Sequence, residues 1–365
     1  MNKYLITITV VALTVLGACS SDDSHKQKQN ETAEQLPIKM GSSLGDETRS
    51  NTASNLINGD TVWVWTDMIN GATQEVGEYF KAWALKANGV GGLATLEAGN
   101  TKLFPATNVL NFYAIVGNFG KVTEGERAGL PMIDAENMSL PTTGIRHTVL
   151  SDQTTPESYY KSDLLYAVVK NQEPISSAVV LHFKHLLARI QVVLVAGNGM
   201  TALELEGATV KLLNLTRQVT FTPDKDGDFS SQGALASMLS IPMNAQHSDI
   251  LMTTSVISST DVDDAKAANS TVYADAIVVP QTITKGTAFI QVDYKGRTTY
   301  YRIPTGENKQ DLVIESGKQY RFRLVAHRIG ETFEFTPVTV ETWGANSTTQ
   351  VALDNLTGTS VYNNQ

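Results

Sequence analysis

The sequence predicts an all-β protein whose mature part divides into two β-sandwich domains. Three observations carry this reading. Short segments of alternating apolar and polar residues recur along the chain with turn residues between them, the period-two signature of half-buried strands. Charged residues make up 18 % of the chain, and Thr, Val, Ser and Asn are common in their place, a composition that suits strands and turns better than long helices. At 365 residues the chain exceeds what one hydrophobic core usually serves.

The first element is a leader. Lys3 is the sole charge before Asp22, and Tyr4 to Ala18 is an apolar stretch. A basic head followed by such a run has the layout of a secretory signal, here residues 1–18, and it is shorter than the roughly 20 residues a spanning helix needs. The run ends in Leu16-Gly17-Ala18-Cys19, which is similar to a bacterial lipobox. Small residues there fit a narrow peptidase site, and the thiol of Cys19, the single cysteine of the chain, is the expected lipidation site. One acyl chain anchors only marginally; the three of a bacterial lipoprotein would hold firmly. Residues 19–35 read as the acylated cysteine and a flexible tether, because Ser20 to Gln35 has no large apolar residue to support a core. Fully extended, that segment would reach roughly 50 Å. Ser21-Asp22-Asp23 resembles the acidic signal that directs some Bacteroidota lipoproteins to the outer face.

The strands follow. Residues 36–198 form the expected first sandwich. Leu36, Ile38 and Met40 alternate with Pro37 and Lys39 as its first strand. Asn58-Gly59-Asp60 is a turn that introduces Val62-Trp63-Val64-Trp65. Leu110, Phe112, Ala114 and Val116 share a face. Segments 164–170 and 178–183 lead into the apolar run Ile190 to Val195, which Gly197-Asn198-Gly199 closes. Residues 199–365 form the expected second sandwich and tail. Segments 209–215 and 218–222 precede an Asp-Gly turn at Asp226-Gly227, and Ala276 to Pro280 is a strand that ends in proline. Phe289 to Tyr294 and Thr298 to Ile303 flank Lys295-Gly296-Arg297, a hairpin signal. Tyr320, Phe322 and Leu324 alternate with Arg321 and Arg323. Phe333, Phe335, Val338 and Val340 come last before Trp343. Asp261 to Ser270 is polar and reads as a surface loop. No repeat of solenoid length is present.

Several function classes find no support. Net charge is −9 with no basic tract after the leader, which argues against nucleic acid as a partner. With Cys19 acylated, no thiol remains for a disulfide, a cysteine metal site or thiol catalysis. Gly41-Ser42-Ser43-Leu44-Gly45 matches the G-x-S-x-G pattern, but a nucleophile elbow needs a strand-to-helix turn, and no helix signal follows Ser43. Asp224-Lys225-Asp226-Gly227-Asp228 begins like a calcium loop, yet Phe229 and Leu235 stand where glycine and a bidentate glutamate belong; a hairpin turn explains the run. His182 and His185 would face opposite ways on a strand. No catalytic, cofactor or metal residue is therefore assigned, and the protein reads as a non-enzyme.

Scattered segments together resemble the fimbrillins, the type V pilins of Bacteroidota, over roughly residues 36–343. One is Val180-Leu181-His182-Phe183-Lys184-His185-Leu186-Leu187-Ala188-Arg189-Ile190-Gln191-Val192, similar to the family's Phe-x-His block leading into an Ala-x-hydrophobic strand. Others are Val279-Pro280-Gln281 with Phe289 to Tyr294, Ser316-Gly317-Lys318-Gln319-Tyr320, and Val340-Glu341-Thr342-Trp343. Thr48-Arg49 followed by Gly59-Asp60 and Val62 also fits. The resemblance implies two tandem Greek-key, transthyretin-like sandwiches. It also implies a route: delivery to the outer membrane by the lipid, cleavage of shaft subunits by an arginine-specific protease, loss of the first strand, and refilling of its groove by a neighbouring subunit.

On these residues the processing site would be the bond between Arg49 and Ser50, in a polar stretch open to a protease. The displaced strand would carry Leu36, Ile38 and Met40, and its loss would leave unpaired backbone and an apolar trough. A replacement strand would restore both, and head-to-tail repetition would build a filament. The tail from Gly344 to Gln365 is the candidate donor, with Val351 and Leu353 alternating; a closing strand of the second sandwich explains it as well. Shaft, tip and anchor roles stay open, and adhesion with biofilm formation is the implied purpose. Partners would be other subunits and a host or bacterial surface receptor. The rival reading is a monomeric surface lipoprotein that binds glycans by stacking exposed Trp63, Trp65 or Trp83 on sugar rings, although burial in the core explains those tryptophans better.

Overall fold

Alternation along the chain becomes strand almost everywhere in the computed structural model, which describes residues 35–44, 56–88, 93–119, 133, 138–142, 144–197, 202–226, 232–257, 271–327, 332–335, 338–343, 351–353 and 362–363. The expected leader, most of the expected tether and the polar segment 261–270 lie outside the described residues. The first half carries β1 (Met40–Leu44), β2 (Thr61–Ile69), β3 (Val76–Asn88), β4 (Leu93–Glu97), β5 (Val109–Val116), β6 (Ile145–Thr148), β7 (Leu165–Gln172), β8 (Val179–His185) and β9 (Ala188–Ala196). Next come β10 (Thr209–Thr216), β11 (Gln218–Phe221), β12 (Leu239–Ser240), β13 (His247–Leu251), β14 (Thr253–Ile257), β15 (Thr271–Val278), β16 (Gln281–Ile283), β17 (Ala288–Tyr294) and β18 (Arg297–Arg302). The last are β19 (Leu312–Ile314), β20 (Lys318–His327), β21 (Thr332–Phe335), β22 (Val338–Thr342), β23 (Val351–Leu353) and β24 (Tyr362–Asn363). Among the described residues helix is confined to short pieces such as α1 (Pro156–Lys161), which Thr155 and Ser158 cap reciprocally, and α2 (Gln232–Ser237).

In the first half, hydrogen bonding runs around a closed ring in the order β1-β4-β3-β2-β5-β7-β8. Its strands bury both faces. Val62, Val64, Leu110, Phe112, Ala114, Leu165 and Ala167 fill the inside. Their neighbours Trp65, Tyr113, Ile115 and Tyr166 pack outward into the larger core that the second half completes. A sequence pattern of simple alternation reports the inner set alone, because the outer set becomes buried only when the rest of the chain docks.

In the second half, a five-stranded sheet (β13-β10-β17-β18-β24) and a larger sheet containing β14-β15-β9-β20-β22-β23 enclose that core. Val210, Leu212, Ile290, Val292 and Tyr301 from one meet Ile190, Val192, Leu194, Ala276, Phe322 and Leu324 from the other. Phe322 touches Phe289 and Tyr301 with ring centroids 5.5 and 5.8 Å apart, the edge-on geometry aromatic pairs prefer. The expected hairpin is present: β17 and β18 pair as Tyr294↔Arg297, and Lys295 and Gly296 both have positive φ, 46° and 75°, as a two-residue primed turn requires.

Strand pairing also links segments far apart along the chain. Pairing crosses the expected 198/199 boundary: β9 lies between β15 and β20, and β6 pairs with β11. Asp224 to Asp226, the described part of the expected turn, do not join β11 directly to β12. β11 and β12 do pair, through Thr220↔Ser240 and Phe221↔Leu239, but α2 lies in their connection. The run is drawn instead to the ring, where Lys225 Nζ meets Asp67 Oδ2 at 2.6 Å and the Tyr166 hydroxyl donates to the Asp224 carbonyl at 3.0 Å.

On β6, His147 is fully buried with both ring nitrogens used. Nδ1 accepts from the Asn118 N–H at 3.0 Å, so Nε2 carries the proton given to the Ser162 carbonyl at 2.9 Å. A second proton would face a donor. Burial outweighs the help of that carbonyl and Asp163 and lowers the pKa from 6.5 to about 4. The unfolded chain therefore binds the proton more readily, and stability is lost as pH falls from about 6.5 towards 4, by about 1.4 kcal/mol per pH unit from this group. Urea denaturation at several pH values should show a shallower dependence in that window for His147→Gln than for the wild type.

Candidate functional site

The candidate site is the seat of the first strand. Residues 35–39 enter alongside the segment around Leu103, and Pro37 bridges Leu103 in antiparallel fashion. The Ile38 N–H donates to the Lys102 carbonyl and the Phe104 N–H to the Leu36 carbonyl, both at 2.8 Å. On the other side the Val179 N–H donates to the Lys39 carbonyl at 2.9 Å. The chain then continues as β1, antiparallel to β4 from Met40↔Leu96 to Ser43↔Leu93 and parallel to β8 from Met40↔Val179 to Leu44↔Phe183. It is the one strand that joins β4 to β8 in the ring.

The expected stripe is recovered in graded form. Ile38 and Met40 are buried among Leu96, Phe104, Val179 and Leu181 inside the ring. Leu36 sits at the mouth and keeps 37 % of its surface exposed. Burying side chains of this size is worth about 1.5–3 kcal/mol each, and each net backbone hydrogen bond adds on the order of 1 kcal/mol. Removal of the strand would expose a trough flanked by unpaired edges of β4 and β8. The lining segment Lys102–Phe104 is not signalled by alternation; its clue is the apolar pair Leu103-Phe104 after a Gly-Asn turn.

The other sequence candidates fall as follows. Ser43 stands within β1, paired on both sides, so it is not on an elbow. His182 and His185 do take opposite faces of β8: His182 is exposed and His185 buried. His185 Nδ1 pairs with Asp163 Oδ2 at 2.8 Å, and its ring stacks on Trp343 at 3.8 Å. Among the described residues, no three His, Cys, Asp or Glu side chains gather in a way that could hold a metal. Trp65 and Trp83 are buried, and their indole N–H groups donate to the Met138 carbonyl and Asn100 Oδ1. Stacking on sugars is closed to those two; Trp63 is half-buried against the outer core. Val351 and Leu353 lie in β23, which pairs with β22 as Val340↔Val351 and Val338↔Leu353 at the edge of the larger sheet. β24 extends the other sheet by pairing with β18. Cys19, Arg49 and Ser50 lie outside the described residues.

Comparison with known proteins agrees with this architecture. The family described as fimbrillin-like matches residues 48–343. The crystal structure of a candidate cell adhesion protein from Bacteroides uniformis is similar with a TM-score of 0.52 at 17 % identity, over 84 % of this chain and 98 % of that one. A second, from Bacteroides ovatus, gives 0.51 at 14 % identity over 85 % and 98 %. The C-terminally truncated tip fimbrial protein Mfa3 of Porphyromonas gingivalis gives 0.43 at 10 % identity over 85 % and 100 %. At such identities the first two likenesses establish a common fold. Among the curated proteins no relative matches.

The graded burial of the stripe makes a testable distinction. Met40→Ala and Ile38→Ala should each lower unfolding free energy by roughly 2–5 kcal/mol, as large-to-small changes in a core do. Leu36→Ala should cost under about 1 kcal/mol, since much of that side chain is already in water. Urea denaturation monitored by tryptophan fluorescence measures all three.

Proposed function

The chain belongs to the fimbrillin-like family, and from that membership we propose that it is a structural, non-enzymatic subunit of a cell-surface fimbrium. The observation that carries the proposal is the seat of the first strand. A strand at the start of the described residues, buried on its apolar side and bonded to both neighbours, can leave after one cut in the segment that follows it. Arg49 lies between β1 and Leu56, the next described residue, and is the proposed cut. The trough left behind has the register and apolar lining to take an extended segment of another subunit by strand addition.

In its finer form the proposal runs from export to assembly. Cys19 is acylated and carries the subunit to the outer membrane surface. Cleavage between Arg49 and Ser50 then releases lipid and first strand together, and strand exchange links subunits into a filament that mediates adhesion and biofilm formation. The same reading treats residues 36–198 and 199–365 as tandem Greek-key sandwiches and the tail around Val351 and Leu353 as the donor. For donation, β23 would have to leave β22. An uncut subunit would instead stay anchored through Cys19, as a tip or anchor component would.

Incubation of the lipoprotein with an arginine-specific protease separates these roles. A shaft subunit should lose residues up to Arg49 and give SDS-resistant ladders on unheated gels, while Arg49→Ala stays uncut and monomeric. A wild-type chain that is never cut and never polymerises sinks the shaft role.

A further inference from the structure

Beside the first strand, the ring wall opens between the middle of β3 and the turn after β4. β4 pairs with β3 only through Lys86, Ala87 and Asn88. Beyond these residues the two walls part around a half-open cleft of about 480 Å³, lined by Lys81, Ala82, Trp83, Ala84, Gly99, Asn100 and Lys102. That volume lies within the range of small-molecule sites, roughly 300–1,000 Å³.

The side-chain chemistry of the cleft has one sign. Lys81 and Lys102 line the cleft from its two walls, β3 and the turn after β4, and neither has an ion-pair partner among the described residues. Lys102 Nζ is steadied 5.6 Å from the Phe80 ring centroid, a cation–π contact. Asn100 is oriented by Trp83: an indole N–H can only donate, so it takes the amide oxygen at 3.0 Å and leaves the NH₂ for a ligand. No carboxylate lines the cleft. In a chain of net charge −9 this is a local reversal of sign, of the kind that draws anions. The three polar side chains together present donors and no free acceptor. A peptide strand is a poorer fit, because the Ala82 N–H it would need from β3 is already given to the Met138 carbonyl at 3.0 Å.

We propose that this cleft binds an acidic saccharide, a uronate-bearing disaccharide unit, with Lys81 and Lys102 holding the carboxylates and the Asn100 amide donating to a ring or hydroxyl oxygen. Recognition here is by charge and hydrogen bonds rather than by stacking on tryptophan. It does not depend on polymer assembly, so failure of the cleft leaves the Arg49 reading untouched.

Calorimetric titration of the purified full chain with digalacturonate, with a neutral galactose disaccharide and with inorganic sulfate tests the assignment. Digalacturonate should saturate one site per chain, and the neutral disaccharide should bind at least about tenfold more weakly. Lys81→Ala and Lys102→Ala should each weaken digalacturonate by roughly tenfold, the scale of a charge-assisted hydrogen bond. Lys81→Glu, at an exposed position, should abolish binding with the thermal midpoint unchanged. Failure of digalacturonate to saturate would overturn the proposal, as would equal binding of the neutral sugar or indifference to the lysine changes. Sulfate binding as tightly as digalacturonate and lost in the same variants would overturn it too, leaving an anion site with no sugar specificity.

Discussion

Two residues, Leu186 and Leu187, separate the ring from the sheets that follow it, and the whole architecture turns on them. β8 must pair with β1 and β7 in the ring, while β9 must stand between β15 and β20. The chain has no slack between those duties, and both leucines are wholly buried. Their polar backbone is met from far away. The Leu186 N–H donates to the Leu164 carbonyl, the Ser316 hydroxyl donates to the Leu186 carbonyl at 2.5 Å, and the Gly317 N–H donates to the Leu187 carbonyl at 2.8 Å. A buried carbonyl left without such a partner would cost about 1–3 kcal/mol, so the joint admits few alternatives. His185, held by Asp163, stacks on Trp343 at the same place, and the Trp343 backbone N–H donates to the Gly317 carbonyl.

That joint explains why segments scattered over more than 150 positions of the sequence behave as one motif. The Phe183-x-His185 block, Ser316-Gly317 and Trp343 are each weak alone. In the fold they are the three sides of a single contact. Val279-Pro280-Gln281 has a related purpose, since the Gln281 side-chain amide accepts from the Thr216 N–H and donates to its carbonyl, standing in for a strand. Farther along β9, Arg189 bonds Asp275 on β15 and Gln319 on β20, so one buried cation spans three strands with its charge paired. Burial of this kind asks for complete pairing, and that requirement helps set the order of the strands.

Against this fixed centre, the first strand is peripheral in chain position and central in hydrogen bonding. β9 is held by neighbours on both sides and by the joint before it. β1 closes the ring yet comes near the start of the described residues, with the Arg49 bond behind it in sequence. The same strand holds one wall of the lysine cleft, because the Lys102 carbonyl accepts from Ile38. Ring closure, the proposed assembly trough and the proposed ligand cleft thus share a wall.

By itself the sequence determined the local features of this protein: strand periods, the Lys295-Gly296 turn, the alternating stripe of Ile38 and Met40, and the separation of His182 from His185. Each is decided within a few residues, by side-chain alternation or by which residues tolerate positive φ. Long-range register lay beyond it. Alternation places Leu110, Phe112 and Ala114 on one face but cannot show that Tyr113 and Ile115 are buried too, nor that Trp65 and Trp83 are buried on opposite faces of the ring wall. It names the first strand without its partners Leu96, Lys102 and Val179, and it gives no hint that Lys81 and Lys102 line one cleft. Those features arise where segments distant along the chain meet, and only the tertiary structure decides which unpaired backbone and which apolar face each segment finds.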